Sequence, residues 1–259
     1  ASELGVDDDL RVDWQDRLSN LSAFPTFMRD GKEVFRYTEV GRDWFPSNSI
    51  GSQHIYPGLQ VGLASDPALL QVASNMIDEL ARWTDSNGST TFYPAAAIVG
   101  HDPVDIQSHL DDWIAKSTYP NLHIHGIGSG IANLNTVPAT INEMLLQSFQ
   151  GKVRVFANWP AGADGRFGNL RAFGAFLVSS DVRSSVVQYV RVVSERGLPL
   201  TLVNPWPSST GLHLWRNGQD AGPLSGAEFS IPTSPGEVLH IAPDGTSYAS
   251  ILREMSVPL

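Results

Sequence analysis

The chain contains no cysteine, which excludes a disulfide framework, a thiol nucleophile and a thiolate metal site. Basic residues are scarce as well: 17 Lys and Arg stand against 27 Asp and Glu, giving a formal net charge of −10 at pH 7. This balance offers no electrostatic attraction to a phosphate backbone or to an anionic membrane surface. No apolar run reaches the roughly 20 residues that a membrane-spanning helix needs. We therefore expect neither a nucleic acid nor a membrane as a partner.

The charge is divided unevenly along the chain. Residues 1–150 contain 19 Asp and Glu against 8 Lys and Arg, whereas residues 151–259 contain 8 against 9. Hydrophobic residues make up 42% of the 259, enough for a sizeable core. The composition predicts two distinct regions.

The first region has the apolar periodicity of helices. Asp66-Pro67 and Asp102-Pro103 each place a capping residue before a proline at the first helical position, which is typical of a helix start. Residues 91–100 predict a buried helix, and another is predicted over residues 136–148. An amphipathic helix near the N-terminus is indicated by apolar residues at helical spacing: Leu10, Trp14, Leu18 and Leu21.

After Gly151 the period of the apolar residues falls to about two, which is typical of strands. Strands are predicted over residues 152–159, 170–178, 186–193 and 200–203, with turns between them. The predicted fold class is therefore α+β and multidomain: a helical domain over residues 1–150 and an antiparallel β-sandwich over residues 151–259.

Two polar loops are candidate ligand sites. Residues 120–135 combine His123, His125 and Asn133 with several glycines, and residues 48–57 contain Asn48, Gln53 and His54 beside a tyrosine. Loops held by a rigid scaffold often bind ligands, although glycine and asparagine equally serve turns and helix caps. Two histidines alternating along an extended segment form half of a metal site, yet hydrogen bonds to a sugar or a carbonyl explain the pair as well. No cofactor or metal is predicted.

Several catalytic motifs are absent. The Gly-rich run lacks the lysine of a phosphate loop, and Gly128-Ser129-Gly130 is not a nucleophile elbow. Glu143 lies within the apolar run 141–146, and the pattern favours a buried structural carboxylate over an acid catalyst there.

The run Ile141-Asn142-Glu143-Met144-Leu145-Leu146-Gln147-Ser148 carries a family resemblance, together with Trp159-Pro160, Asn169-Leu170-Arg171-Ala172 and Gly174-Ala175-Phe176. Over residues 138–178 the chain resembles the inverting α-L-fucosidases of glycoside hydrolase family 95. The resemblance implies that residues 1–150 are the C-terminal portion of an (α/α)6 helical barrel and that residues 151–259 are its C-terminal β-domain. The remainder of the barrel is expected upstream, as part of a longer protein or as a partner chain.

Inversion needs a general acid and a base that activates water from the opposite face, with carboxyls roughly 6.5 to 9.5 Å apart. The resemblance implies that the acid lies before residue 1 and that the base stands eleven residues before Glu143, which is Ala132. Alanine cannot accept a proton. Three explanations, in order of preference, are a carboxylate replaced to trap substrate, a naturally inactive relative, and a shift of the role to another group.

The sequence thus predicts a glycoside hydrolase-type protein that cleaves a terminal α-linked sugar, similar to an α-L-fucoside or an α-galactoside. The residues expected to line the sugar pocket are Asn48, Gln53, His54, His123, His125 and Asn133. The alternatives are a catalytically silent carbohydrate-binding relative and a polysaccharide lyase on a similar scaffold. The expected partner is an oligosaccharide or polysaccharide, and the expected location is extracellular or periplasmic.

Overall fold

The computed structural model describes residues 1, 4–46, 49–85, 88–121, 123–125, 130–208 and 210–256. Six α-helices and a six-stranded antiparallel sheet lie within these ranges, so the predicted mixed α+β class is confirmed. The helices are α1 (Asp8–Ser19), α2 (Pro67–Leu80), α3 (Ser89–Ile98), α4 (Pro103–Ser117), α5 (Thr136–Leu145) and α6 (Tyr248–Ser256). The (α/α)6 barrel and the complete β-sandwich stay predictions.

Helices α2 and α4 begin where their capping residues predict. The Asp66 carboxylate accepts a hydrogen bond from the backbone N–H of Ala68 at 2.9 Å, and Asp102 accepts one from Val104 at 2.8 Å. Each bond satisfies a donor that the first helical turn leaves free, and the following proline has no N–H to satisfy. The two caps fix the starts of the helices around the core.

Helix α3 is the centre of the helical core. All of its residues from Phe92 to Ile98 are buried, and α5 packs along it. The hydroxyl of the buried Tyr93 lies 2.7 Å from the backbone carbonyl oxygen of Trp83 and 3.0 Å from that of His109, and its single hydrogen is shared between these two acceptors. This polar anchor allows a tyrosine to be fully buried, because its hydroxyl does not lose its hydrogen bonds.

Helix α1 forms at the predicted position, but none of its residues is buried. Leu10, Trp14 and Leu18 are all exposed, so the apolar spacing that predicts the helix does not mark a face packed on the described core. After α1, the hairpin of β1 (Thr26–Arg29) and β2 (Lys32–Phe35) brings the chain to the core, where Phe35 is buried.

The strands of the large sheet are β5 (Gly165–Ala172), β6 (Phe176–Arg183), β7 (Val186–Ser194), β9 (Leu212–Arg216), β10 (Gln219–Leu224) and β12 (Glu237–Pro243). Their order is β10-β9-β12-β7-β6-β5, and every neighbouring pair is antiparallel. Two short sheets pair β3 (Leu146–Gln147) with β4 (Arg154–Val155), and β8 (Leu200–Val203) with β11 (Glu228–Ile231). Side chains of these short sheets share one hydrophobic core with the large sheet.

The two cores meet over residues 145–149. Leu145 and Leu146 belong to the β-core, whereas Phe149 belongs to the helical core. Ile141 and Trp159 pack against both. The domain boundary predicted at residue 150 is not tested by this arrangement and stays a prediction, but the junction itself is a region where both cores contribute side chains.

Several predicted strands need correction. The segment 170–178 is not one strand but the end of β5, a turn at residues 173–175 and the start of β6. Of residues 152–159 only Arg154 and Val155 are paired as a strand, and the helix predicted over 136–148 ends at Leu145. Helix α6 was not predicted. The strands predicted over 186–193 and 200–203 correspond to β7 and β8.

Within the described ranges, no helix combines the length and the apolar character that crossing a bilayer requires.

Candidate functional site: a cleft at the junction of the two cores

A cleft of about 800 Å³ lies where the helical core meets the β-core. Its walls come from three segments: residues 56–59, residues 142–149 and residues 170–175. We call it the junction cleft. Its volume is in the range typical of small-molecule sites, which favour positions between structural units.

The first wall is a compact loop held by its own backbone. Gly58 N–H donates to the carbonyl of Gln53 at 2.8 Å, and Gln60 N–H donates to the carbonyl of His54 at 2.9 Å. A Cβ at position 58 would lie 2.7 Å from the Gln53 carbonyl oxygen, so only glycine fits this closure. The closed loop holds Tyr56 at the cleft wall.

The second wall carries Glu143, near the C-terminal end of α5. Burial raises the pKa of this carboxyl from its ordinary value of 4.5 to about 7, because the surrounding protein disfavours the charged form. None of the described groups hydrogen-bonds or ion-pairs with the carboxylate. At neutral pH the side chain is therefore divided between its acid and its carboxylate form, as a general acid or base requires.

Tyr56 lies close enough to Glu143 for the two groups to affect each other's charge. The pKa of the Tyr56 phenol is raised, first by burial and then by the negative charge of Glu143. The phenol thus stays protonated at neutral pH and presents a hydrogen-bond donor beside the carboxyl.

The third wall is the turn between β5 and β6. Arg171, which precedes the turn, binds Glu195 through two hydrogen bonds of 2.5 and 3.3 Å. The Phe173 side chain is 64% exposed, and its backbone N–H donates to Ser148 Oγ at 3.0 Å. This hydrogen bond ties the turn to the segment that follows Glu143.

Glu143 is the one acidic side chain among the cleft-lining residues that the structure describes. The cleft therefore combines one titrating carboxyl, a phenol, an amide from Asn142 and an exposed aromatic ring, without a second carboxylate opposite Glu143. This set can bind a polar ligand and transfer one proton to it.

The predicted residues Gln53 and His54 lie in the loop of the first wall but do not line the cleft. Gln53 is exposed, whereas the His54 ring is stacked on Phe24 at a centroid distance of 4.7 Å and packs edge-on against Phe35 at 4.2 Å. Burial lowers the pKa of His54 to about 4, so the imidazole is neutral at physiological pH. Its Nε2 is buried and has no hydrogen-bond partner within the described ranges.

His123 and His125 follow α4 in a short extended segment beside Tyr119. His123 Nδ1 lies 3.1 Å from the carbonyl of Ile124, and the exposed His125 ring packs edge-on against Tyr119 at 4.2 Å. Neither lines the junction cleft. No group of three or more His, Asp or Glu in the described ranges is placed to hold a metal ion.

Two further histidines, His101 and His109, both lie beside the Asp105 carboxylate, and His101 Nδ1 also lies 3.5 Å from Asp78. His101 Nε2 lies 2.7 Å from Asp105, and His109 Nε2 lies 3.5 Å from the same side chain. His109 also stacks on Trp83 with a centroid distance of 4.5 Å. This cluster belongs to α4 and its surroundings, not to the junction cleft.

Asn133 and Ala132 precede α5. Asn133 is 3% exposed, and its Oδ1 has no partner among the described groups. Ala132 lies with it in a short 3₁₀ helix, Gly130–Asn135, that leads into α5. Asn48 lies outside the described residues. The assignment of these six side chains and of Ala132 to a sugar site stays a prediction.

Two segments that the sequence marks as notable also line the junction cleft. Residues 48–57 contribute Tyr56 and Pro57 to the cleft, and residues 141–148 contribute Asn142, Glu143, Leu146 and Ser148. A glutamate on an apolar helix face was the available signal for Glu143. Nothing in the sequence separates a buried structural carboxylate from one that lines a cleft.

Comparisons with known proteins identify no family. No protein-family model matches the chain, and no curated protein does. Among solved structures, a family 127 β-arabinofuranosidase aligns with a TM-score of 0.28 and 12% identity, over 61% of this chain and 31% of its own. A family 127 β-L-arabinofuranosidase from Geobacillus stearothermophilus T6 aligns with a TM-score of 0.28 and 11% identity. This alignment covers 68% of the present chain and 31% of the arabinofuranosidase. A family 44 xyloglucanase from Paenibacillus polymyxa aligns with a TM-score of 0.23 and 15% identity. This alignment covers 93% of the present chain and 49% of the xyloglucanase.

These weak structural neighbours are glycoside hydrolases. The chain spans about a third of the length of the family 127 structures. TM-scores this low decide neither the fold family nor an activity, and the resemblance to family 95 stays a prediction.

Proposed function

We propose that the protein is a glycoside hydrolase-type protein that binds a sugar in the junction cleft, with Glu143 as the proton donor to the leaving glycosidic oxygen. The observation that carries the proposal is a carboxyl that lines the junction cleft and whose pKa is raised by burial to about 7. A glycosidase acid has to be protonated at the working pH, and burial is the means by which proteins achieve this. Tyr56 and Asn142 supply hydrogen bonds to sugar hydroxyls beside it.

This proposal moves the acid from the upstream position that the family resemblance implies to a residue of this chain. Hydrolysis also needs a base that activates water, and the cleft has no second carboxylate among its described lining residues. Position 132 is alanine, which cannot serve. In its finer form the proposal follows the resemblance to glycoside hydrolase family 95. A terminal α-L-fucoside or α-galactoside is then cleaved with inversion, and the base comes from outside the described cleft lining.

The test is the Glu143→Gln variant, which keeps the shape and the hydrogen-bonding capacity but cannot donate a proton as an acid. We expect the turnover number to fall by about 10²- to 10⁴-fold on fucosides, galactosides and arabinofuranosides whose leaving group is a sugar or alkyl alcohol, because such a group has to be protonated as it leaves. Calorimetry should show sugar binding within a few-fold of the wild type. In the wild type, turnover should decline above about pH 7 as Glu143 ionises.

The matched control is Glu39→Gln, which changes an exposed glutamate that does not line the cleft and whose carboxylate accepts a hydrogen bond from Ser22. It should leave turnover unchanged. If Glu143→Gln hydrolyses all substrates at the wild-type rate, Glu143 is not the acid and the proposal fails.

A catalytically silent carbohydrate-binding protein is the second candidate, and the absence of a second carboxylate from the described cleft lining favours it. It predicts that the wild type binds sugar without turnover. Under this alternative, a carboxylate restored by Ala132→Asp produces turnover only if position 132 faces the bound sugar. Measurement of hydrolysis and binding on the same preparations separates the two candidates.

A further inference from the structure

The junction cleft continues into a second cavity of about 520 Å³. The two cavities share lining residues from all three walls, including Pro57, Phe149 and Phe173. Beyond the shared residues, the second cavity is bounded by residues 150–153 and by Pro199 and Thr201. Together they form one groove along the junction, longer than a single sugar ring requires.

Phe173 lies where the two cavities meet and is held there by its backbone. Gly174 and Ala175 both have positive φ angles, 86° and 57°, and β5 and β6 close the turn through the pair Ala172 and Phe176. A Cβ at position 174 would lie 2.6 Å from the Phe176 ring, so the turn needs glycine. With the hydrogen bond to Ser148, the turn presents an exposed ring at low conformational cost.

The groove is lined by apolar side chains interspersed with polar ones, a mixture that suits a ligand with both kinds of surface better than a purely apolar one. A purely apolar ligand would desolvate Glu143, Asn142 and Gln60 without replacing their hydrogen bonds to water. A sugar chain instead offers hydroxyls to these groups and C–H faces to an aromatic ring.

The charges of the groove favour a neutral sugar. Its two cationic lining residues are Arg171 and Lys152, in the part of the chain that the structure describes. Arg171 is bound to Glu195 and Lys152 to Glu228. A uronate carboxylate would have to compete with these glutamates for a partner, and it would also approach the partly ionised Glu143.

We propose that the groove binds a neutral oligosaccharide across both cavities, with the Phe173 ring as the stacking platform between two subsites. This proposal rests on the proposed function, because it places the leaving part of the oligosaccharide, towards its reducing end, beside Glu143. It adds that recognition depends on more than one sugar unit and that acidic polysaccharides, the substrates of lyases, are not bound.

Calorimetry on the full chain measures the dissociation constants of neutral saccharides of one to four units. The ligands contain fucose, galactose or arabinose, or are fragments of xyloglucan. Oligogalacturonates of the same lengths are the acidic comparison. For the wild type we expect affinity to rise with length for at least one neutral series. Phe173→Ala should weaken the longer ligands about tenfold and remove most of the gain with length.

Trp14→Ala is the matched control, because Trp14 is an exposed aromatic on α1 outside the groove, and it should change no dissociation constant. Tyr119→Ala tests the competing location, because Tyr119 packs against His125. Loss of affinity in Tyr119→Ala with none in Phe173→Ala would place the sugar at the histidine segment and overturn the groove.

The failures of the two proposals are distinguishable. If no neutral sugar binds the wild type, both the sugar site and the groove are wrong. If sugars bind and turn over through Glu143 but Phe173→Ala binds them as tightly as the wild type, only the platform is wrong. Tighter binding of oligogalacturonates than of neutral sugars contradicts the assigned substrate class.

Discussion

Glu143 shows how burial at one residue couples chemistry to stability. Its folded-state pKa of about 7 exceeds the ordinary value of 4.5, so the folded protein binds this proton more tightly than the unfolded chain. The stability that the proton contributes is fully present below about pH 4.5 and is lost as the pH rises to about 7. A poised acid thus reduces the free energy of unfolding at neutral pH.

We therefore expect Glu143→Gln to be more stable than the wild type at pH 8, by about 1–3 kcal/mol, and equally stable at pH 4. Urea unfolding at several pH values measures the difference. Glu39→Gln, which removes the charge of an exposed glutamate, is the comparison variant. A flat difference for Glu143→Gln would show that the carboxyl titrates normally.

At this scale the sequence predicts little of the site. Glu143, Tyr56 and Phe173 come from segments separated by 87 and 30 residues, and only the fold brings them to one cleft. The raised pKa of Glu143 depends on what covers the carboxyl, which local sequence does not encode. His54 shows the converse: a histidine in a polar-looking loop lies between two aromatic rings.

Among the elements, helix starts are the features that the sequence predicts best. Asp66 caps α2 through the backbone N–H of Ala68. Asp66→Ala should lower the free energy of unfolding by about 1 kcal/mol, because the donor loses its partner. Asp66→Asn retains a side-chain acceptor, so it should lower the free energy of unfolding by less than half as much as Asp66→Ala. Thermal or urea unfolding of the two variants provides the measurement, and equal losses would rule out the cap as the cause.

The strands were harder to predict because turn signals were weak. The turn at residues 173–175 contains a single glycine between apolar residues, so residues 170–178 resemble one continuous strand. Helix α6 buries only Ile251, and so short an apolar pattern does not stand out. The caps of α2 and α4, in contrast, are local and need no knowledge of the tertiary structure.

The molecule as a whole depends on side chains that serve both cores. Ile141 and Trp159 pack against the helical core and the β-core together, and Asn158 donates a 2.9 Å hydrogen bond to the carbonyl of His101. Such shared contacts should couple the unfolding of the two cores. We expect the wild type to unfold in one transition that far-ultraviolet and near-ultraviolet circular dichroism report identically.

Trp159→Ala should lower the free energy of unfolding by about 2–4 kcal/mol, because it removes a ring that packs against both cores. The unfolding transitions followed by far-ultraviolet and near-ultraviolet circular dichroism should then no longer coincide. Trp206→Ala is the matched comparison: Trp206 is 6% exposed and packs only in the β-core, so its loss should lower stability without separating the transitions. Coincident transitions in Trp159→Ala would indicate that the cores are coupled by other contacts.

The turn that carries Phe173 also bears on how such a protein can acquire new ligands. Its ends are fixed by the pairing of Ala172 with Phe176, while the exposed ring itself contributes to neither core. Substitutions at position 173 are therefore largely free of the folding constraints on Glu143 and its helix. The ring that a ligand meets at this turn can therefore be changed, by evolution or by design, at one exposed position while the scaffold and the helix that carries Glu143 stay unchanged.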